Sequence, residues 1–169
     1  MNSMGPERLG RLVDEHAAAL VLYAGLWCSA PEDVVQEALL ELVRQPSEPD
    51  NVAGWLYRVV RNRAISVSRS EARRRRREAA AARQRPRLFE SSEGDRLDAA
   101  AATAALAQLA MEERETIVAR LWGGLSLAEV AELTGTSTAT AWRRYQSGLG
   151  ALRERLGVSW AEKKTSRRR

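Results

Sequence analysis

One cysteine, one histidine, one phenylalanine and two lysines are all that 169 residues contain of those types. A lone Cys28 forms no internal disulfide, and a lone His16 leaves no Cys/His cluster for a zinc site. The expectation is therefore a chain without metal or other cofactor. Long apolar runs are missing too: none approaches the roughly 20 residues that span a bilayer. The stretch MNSMGPERLGRL carries no apolar signal-peptide core, which predicts a cytoplasmic chain with no membrane partner. No nucleophile–base arrangement stands out, and the paired carboxylates fall on polar faces, so no enzymatic activity is expected. Alternating strand patterns are nearly absent. What remains is 44% apolar residues, enough to build helical cores.

Charge is distributed unevenly behind the net +5. Residues 1–57 carry three Arg against nine acids, a net of −6; residues 58–87 carry twelve Arg against two Glu, a net of +10. Residues 88–169 are nearly balanced, with twelve basic and eleven acidic side chains. The central block alone makes the protein basic. Apart from Lys163 and Lys164 every cation is Arg, the residue suited to planar, bidentate phosphate contacts.

Helical periodicity organises the chain into two all-α units. Leu12, Val13, Ala17, Leu20, Val21 and Ala24 form one stripe within residues 9–27. Ser29, Pro31 and Glu32 read as a capping box that starts a second helix, with Val34, Val35, Ala38, Leu39, Leu42 and Val43 inward. The QPSEPD segment at residues 45–50 ends it, and a third helix runs from about Val52 through Arg77, its end open as far as Arg83. Residues 84–96, QRPRLFESSEGDR, read as a flexible linker. Helical spacing resumes from Leu97 through Leu106, Leu109, Ile117 and Leu121, then breaks at Trp122, Gly123 and Gly124. The predicted organisation is a first domain at residues 1–83, a linker at 84–96, a second domain at 97–156 and a disordered basic tail at 157–169.

Residues 126–152, SLAEVAELTGTSTATAWRRYQSGLGAL, hold the most specific pattern. Leu127, Val130, Ala131 and Leu133 mark one short apolar face. Ala141, Tyr145, Gly148 and Leu152 mark another, and a Gly135 turn lies between them. Two short amphipathic helices joined this way form a helix-turn-helix, whose second helix enters the major groove of duplex DNA. Thr136 or Ser137 is placed to cap that helix, Thr138 and Thr140 lie in its first turn, and Arg143 and Arg144 suit phosphate or guanine. Trp142 reads equally as exposed toward DNA or packed on the preceding helix.

Two further faces carry chemistry. In the second helix, Glu32, Asp33, Gln36, Glu37, Leu40 and Glu41 lie opposite the apolar stripe; periodicity leaves open a solvated surface or a dock for a basic partner. In the third, Leu56, Val59, Val60, Ala64 and Val67 gather on the core side, and Trp55, Arg58, Asn62, Ser66 and Arg69 gather on another. A ring, an amide and guanidinium groups together are equipment for unpaired DNA: rings stack on bases, Arg neutralises phosphates, and Asn bonds base edges. Trp55 also reads as a core residue. Downstream, Arg73, Arg74, Arg75, Arg76 and Arg77 extend the basic face for phosphate, predicting affinity that falls steeply with salt.

The blocks PEDVVQEALLELV, GWLYRVVRNRAISVSR and LSLAEVAELTGTSTATAWRRYQSGLGALRERL resemble, in order, those of bacterial sigma-70 family sigma factors, and the two-domain layout is similar to the extracytoplasmic-function (ECF) group. The resemblance covers about residues 7–78 and 97–156. It implies that Asp33, Gln36 and Glu37, with Leu40 and Glu41 beside them, dock the β′ clamp helices of core RNA polymerase. It implies that Trp55, Arg58, Asn62 and Arg63, with Ser66 and Arg69, face the −10 element. Thr138, Thr140 and Arg144, with Ser137, Trp142 and Arg143, are implied at the −35 element. Core polymerase (β′ clamp helices and β flap) and promoter DNA are the partners implied, together with the anti-sigma factor that many members of the group have; the unbound chain is expected to be a monomer. Three departures stand out: the loop at residues 45–52 has no aromatic residue, Trp142 replaces a usual polar residue, and Tyr145 replaces a usual Leu. The competing class is a stand-alone helix-turn-helix regulator, which would need neither an acidic docking helix nor the Trp/Asn/Arg face and would dimerise on a palindrome.

Overall fold

The computed structural model describes residues 5–78 and 96–156, and all their regular elements are α-helices. They are α1 (Pro6–Ala24), α2 (Pro31–Arg44), α3 (Val52–Glu78), α4 (Arg96–Ala107), α5 (Met111–Leu121), α6 (Leu127–Thr134) and α7 (Thr138–Arg155). The expected linker lies outside the described residues but for Arg96, which begins α4. The tail at 157–169 also lies outside them, as does any extension of α3 to Arg83. No described helix is long and apolar enough to cross a membrane.

Helix starts follow from local chemistry. Pro6 and Pro31 open α1 and α2, where a missing N–H costs nothing and a fixed φ suits the first turn. The capping box expected at Ser29 does not form. Ala30 holds the cap position because the helix begins at Pro31, and the Ser29 hydroxyl instead donates to Glu71 of α3 at 2.5 Å. The box forms at α6: Ser126 Oγ accepts from the Glu129 N–H at 3.2 Å, and Glu129 Oε2 accepts from the Ser126 N–H at 2.7 Å. Asn51 Oδ1 accepts from the Gly54 N–H at 2.9 Å and so closes the first turn of α3.

Helices α1, α2 and α3 pack into one unit around Leu20, Tyr23, Ala38, Leu42, Leu56 and Val60, all fully buried. Helices α5, α6 and α7 form the second, with α4 laid on α7. Two expected core positions face outward instead: Val43 is 37% exposed near the end of α2, and Leu121 is 50% exposed at the end of α5. Each sits in the last turn of its helix, where nothing packs across it to continue the apolar stripe.

The units are not merely tethered. Helix α1 packs on α5 and α3 on α6, and a single apolar cluster joins Leu20, Tyr23, Leu56, Tyr57 and Val60 to Val118, Ala119, Leu125, Val130 and Ala131. At its centre the Tyr23 hydroxyl donates to Glu115 Oε1 at 2.7 Å, and Arg61 Nε donates to the same oxygen at 2.6 Å. Tyr23 sits edge-on to both Trp27 and Tyr57, with ring centroids 4.9 Å away in each case, an arrangement favoured by the ring quadrupoles. Burial, reinforced by the Glu115 charge, drives the Tyr23 phenol far above its ordinary pKa; burial alone pushes Tyr57 up.

Gly123 makes this junction possible. A Cβ there would stand 2.6 Å from Tyr57 Cζ and Oη and 2.5 Å from the Ala119 carbonyl oxygen. Overpacking a filled core costs about 1–3 kcal/mol. Gly123→Ala should therefore lower unfolding free energy by about 2 kcal/mol in urea titration; an unchanged midpoint would contradict the packing.

Candidate nucleic-acid interface

Two turns of α2 present Glu32, Asp33, Gln36, Glu37 and Leu40 to solvent, with Leu40 47% exposed. Val43 continues this outer face, so an apolar strip of Leu40 and Val43 lies beside the carboxylates. A partner that supplies both basic groups and apolar contact matches that surface. Glu41 is half-buried.

The face predicted on α3 divides in two. Arg58, Asn62, Ser66 and Arg69 are exposed and recur at helical spacing, forming a stripe along the long axis of the helix. Arg63 does not join it. Its guanidinium donates to Glu37 Oε2 at 2.6 Å and also pairs with Glu41, tying α3 to α2. The physical reason is position: Arg63 lies between the stripe and the α2 side of the helix, where two carboxylates one turn apart receive its fork. Trp55 packs partly on the core and also lines a surface cleft with Asn51, Gly54 and Arg58.

Beyond the stripe, Arg73, Arg74, Arg75, Arg76 and Arg77 are all exposed at the C-terminal end of α3. Arg75 lies 3.8 Å from Glu71 one turn back, and Arg77 Nε reaches the Arg73 carbonyl. Cations there also complement the negative end of the helix dipole. Arg58 to Arg77 thus form one basic rail.

In the helix-turn-helix, α6 ends at Gly135, whose φ of 66° is the left-handed conformation glycine adopts without strain. The Thr136 N–H closes back onto the Ala131 carbonyl at 2.9 Å. Ser137, and not Thr136, caps α7, accepting from the Thr140 N–H at 3.1 Å. Its hydroxyl also lies 3.0 Å from Thr140 Oγ1, which accepts from Arg143 at 3.1 Å. Ser137, Thr138, Trp142 and Arg143 are exposed, and Thr140 and Arg144 half-buried. Trp142, 50% exposed, projects from the recognition helix with its ring 6.5 Å from that of Tyr145. Ala141, Gly148 and Leu152 are buried as the spacing requires.

Sequence reasoning missed Glu129 and Glu132. Glu132 pairs with Arg58, and Glu129 Oε1 accepts from the Asn51 amide at 2.6 Å, so α6 touches one end of the α3 stripe. The Ser126-x-x-Glu129 spacing was a readable cap, but the cross-domain pairing had no sequence signal. Among the described residues no group of His, Cys, Asp and Glu is placed to hold a metal ion. Cys28 is buried, which raises its thiol pKa.

Residues 8–77 match the family model of Sigma-70 region 2, and residues 99–152 match that of Sigma-70, region 4. No curated protein matches the chain. Among solved structures, the chain is similar to the sigma factor RpoE of Bartonella quintana, crystallised with the anti-sigma factor NepR. That match has 23% identity and a TM-score of 0.71, covering 92% of this chain and 99% of the other. It is also similar to CnrH, solved with the cytosolic domain of CnrY, at 23% identity and a TM-score of 0.62, covering 92% of this chain and 91% of that one. These likenesses carry the fold.

The Ser137 cap organises the first turn of α7. Ser137→Ala should cost about 1 kcal/mol of stability and weaken duplex binding by the chain. Unfolding and duplex titration with unchanged midpoints would show that the cap is idle.

Proposed function

The chain belongs to the sigma-70 family, in its ECF group, and on that footing we propose that it is a promoter-specificity subunit of bacterial RNA polymerase. The observation that carries the reading is the presence on one chain of three separate exposed surfaces suited to three different tasks. Helix α2 offers carboxylates flanking Leu40 and Val43, a dock for the β′ clamp helices of core polymerase. Helix α7 offers Ser137, Thr138, Trp142 and Arg143 to a −35 major groove, the second domain also serving the β flap. The α3 stripe of Arg58, Asn62, Ser66 and Arg69, with Trp55 at one end, suits a strand-separated −10 element.

Catalysis belongs to core polymerase; this chain contributes positioning and binding energy and acts as a cytoplasmic, non-enzymatic monomer. Strand separation costs free energy that the holoenzyme offsets by holding duplex, unpaired strand and core at once. The basic rail from Arg58 to Arg77 supplies phosphate neutralisation. An anti-sigma factor is a further partner, supported by the company in which the RpoE chain was crystallised. The aromatic-free loop at residues 45–52 leaves base capture at −10 to Trp55 and its neighbours.

Run-off transcription with purified core polymerase on fragments of the source genome tests the reading. Discrete new transcripts should depend on the chain and fall at least tenfold with Asp33→Arg, a loss of about 1.4 kcal/mol or more in docking. Absence of transcripts, joined to specific duplex binding by a dimer of the chain alone, would instead establish the stand-alone regulator.

A further inference from the structure

Trp142 is a large ring left at the surface of the recognition helix. Ala141, Gly148 and Leu152 turn inward, and Tyr145 packs against the cluster that holds Leu152, so these residues seat α7. Trp142 leans on Tyr145 at an angle of 39°, with ring centroids 6.5 Å away, and remains 50% exposed. At 100° per residue, Ala139, Arg143 and Gln146 lie opposite the buried side, with Trp142 on their flank. All four are exposed. Trp142 lies just past the first turn of α7, within the part of a recognition helix that reaches base edges.

The hydrogen-bonding groups around it hold one another. Ser137 Oγ accepts from the Thr140 N–H, and Thr140 Oγ1 lies 3.0 Å from Ser137 Oγ and accepts from Arg143 at 3.1 Å. Beside that network α7 offers apolar surface: the Trp142 ring and, three residues back on the same side, the Ala139 methyl. A cation in place of Trp142 would attract phosphate whatever the sequence. A ring gains most from apolar surface instead. In the major groove the thymine 5-methyl is the apolar group that an unmodified base pair presents.

We propose that Trp142, backed by Ala139, packs on a thymine methyl of the −35 duplex, so that this position reads base identity instead of clamping phosphate. The inference rests on the placement of α7 at the −35 element and deepens it by naming the group read. Arg143, next along the helix, has further donors for a neighbouring guanine or phosphate.

The test uses the full chain, alone and assembled with core polymerase. A pool of fluorescent duplexes randomised over about ten base pairs, one helical turn, is enriched for binding. The block that emerges is remade with each thymine in turn replaced by deoxyuridine, which lacks only the 5-methyl. Wild type should lose about fourfold in affinity at a thymine within the block, the worth of one buried methyl. Trp142→Lys should bring that ratio to one, even as its cation strengthens binding to every duplex and steepens the salt dependence. Trp142→Phe keeps an apolar ring and should keep most of the ratio. Comparing ratios forms a double-mutant cycle between ring and methyl, which separates their contact from changes in duplex stiffness.

A wild-type ratio of one at every thymine overturns the proposal. So does a folded Trp142→Lys chain that keeps the wild-type ratio, a selected block without thymine, or a pool that yields no enrichment. Should Trp142→Lys fail to fold, the uncharged Trp142→Gln takes its place under the same criterion. Run-off transcription separates the two readings. Methyl-dependent binding by a chain that yields no transcripts with core defeats the sigma-factor reading alone; transcripts without methyl dependence defeat the Trp142 proposal alone.

Discussion

A single buried carboxylate oxygen organises this molecule. Glu115 lies in α5, 4% exposed, and its Oε1 receives the Tyr23 hydroxyl from α1 and the Arg61 guanidinium from α3. A carboxylate taken from water is tolerated only when charge and hydrogen bonds replace its hydration, and removing one partner of such a pair costs about 3–5 kcal/mol. Both replacements come from the other domain. The contact therefore contributes little net stability over an apolar substitute, but it admits one register of the two units. Hydrophobic burial around Tyr57, Val118 and Val130 supplies the attraction, and Glu115 fixes the alignment.

That alignment determines how the charged surfaces are shared. The acidic first third and the arginine-rich centre of the sequence meet within the first domain. Arg63 bridges Glu37 and Glu41, which sets α2 against α3 and leaves Glu32, Asp33 and Gln36 facing outward. Arg58 meets Glu132 across the domain junction, so one end of the basic rail is covered and the rest is open. Arginine serves three purposes on one helix: Arg61 in the buried junction, Arg63 as an interhelical brace, and Arg69 with the run after it as an exposed cationic surface.

Much of this was legible in the sequence because it depends on neighbours along the chain. The helix-turn-helix followed from the Gly135 turn, the Ser/Thr cluster and two short apolar faces, and α3 from its core-side period of Leu56, Val60 and Ala64. Exposure of Asp33 and Gln36 followed from the same periodicity on α2. The failures share a different cause. Ser29 resembled a cap, but the start of a helix at Pro31 put Ala30 in that place. Val43 and Leu121 fit apolar stripes that simply run past the end of the packed surface. Arg63, set beside the stripe by the family resemblance and not by angle, pairs with carboxylates on another helix that periodicity along α3 does not reveal. Burial of Glu115 had no local signal, since an acidic residue in an EERET segment reads as solvated until a tyrosine 92 positions away is brought against it. Local chemistry was readable; pairings across the two domains were not.

Amide hydrogen exchange of the full chain, alone and mixed with core RNA polymerase, tests the account most directly. Exchange along α2 from Asp33 to Leu40 should slow in the complex, accompanied by faster exchange where α5 and α6 meet Tyr23 and Tyr57. Unchanged exchange in α2, with protection arising only in α7 and only on adding duplex DNA, would contradict it.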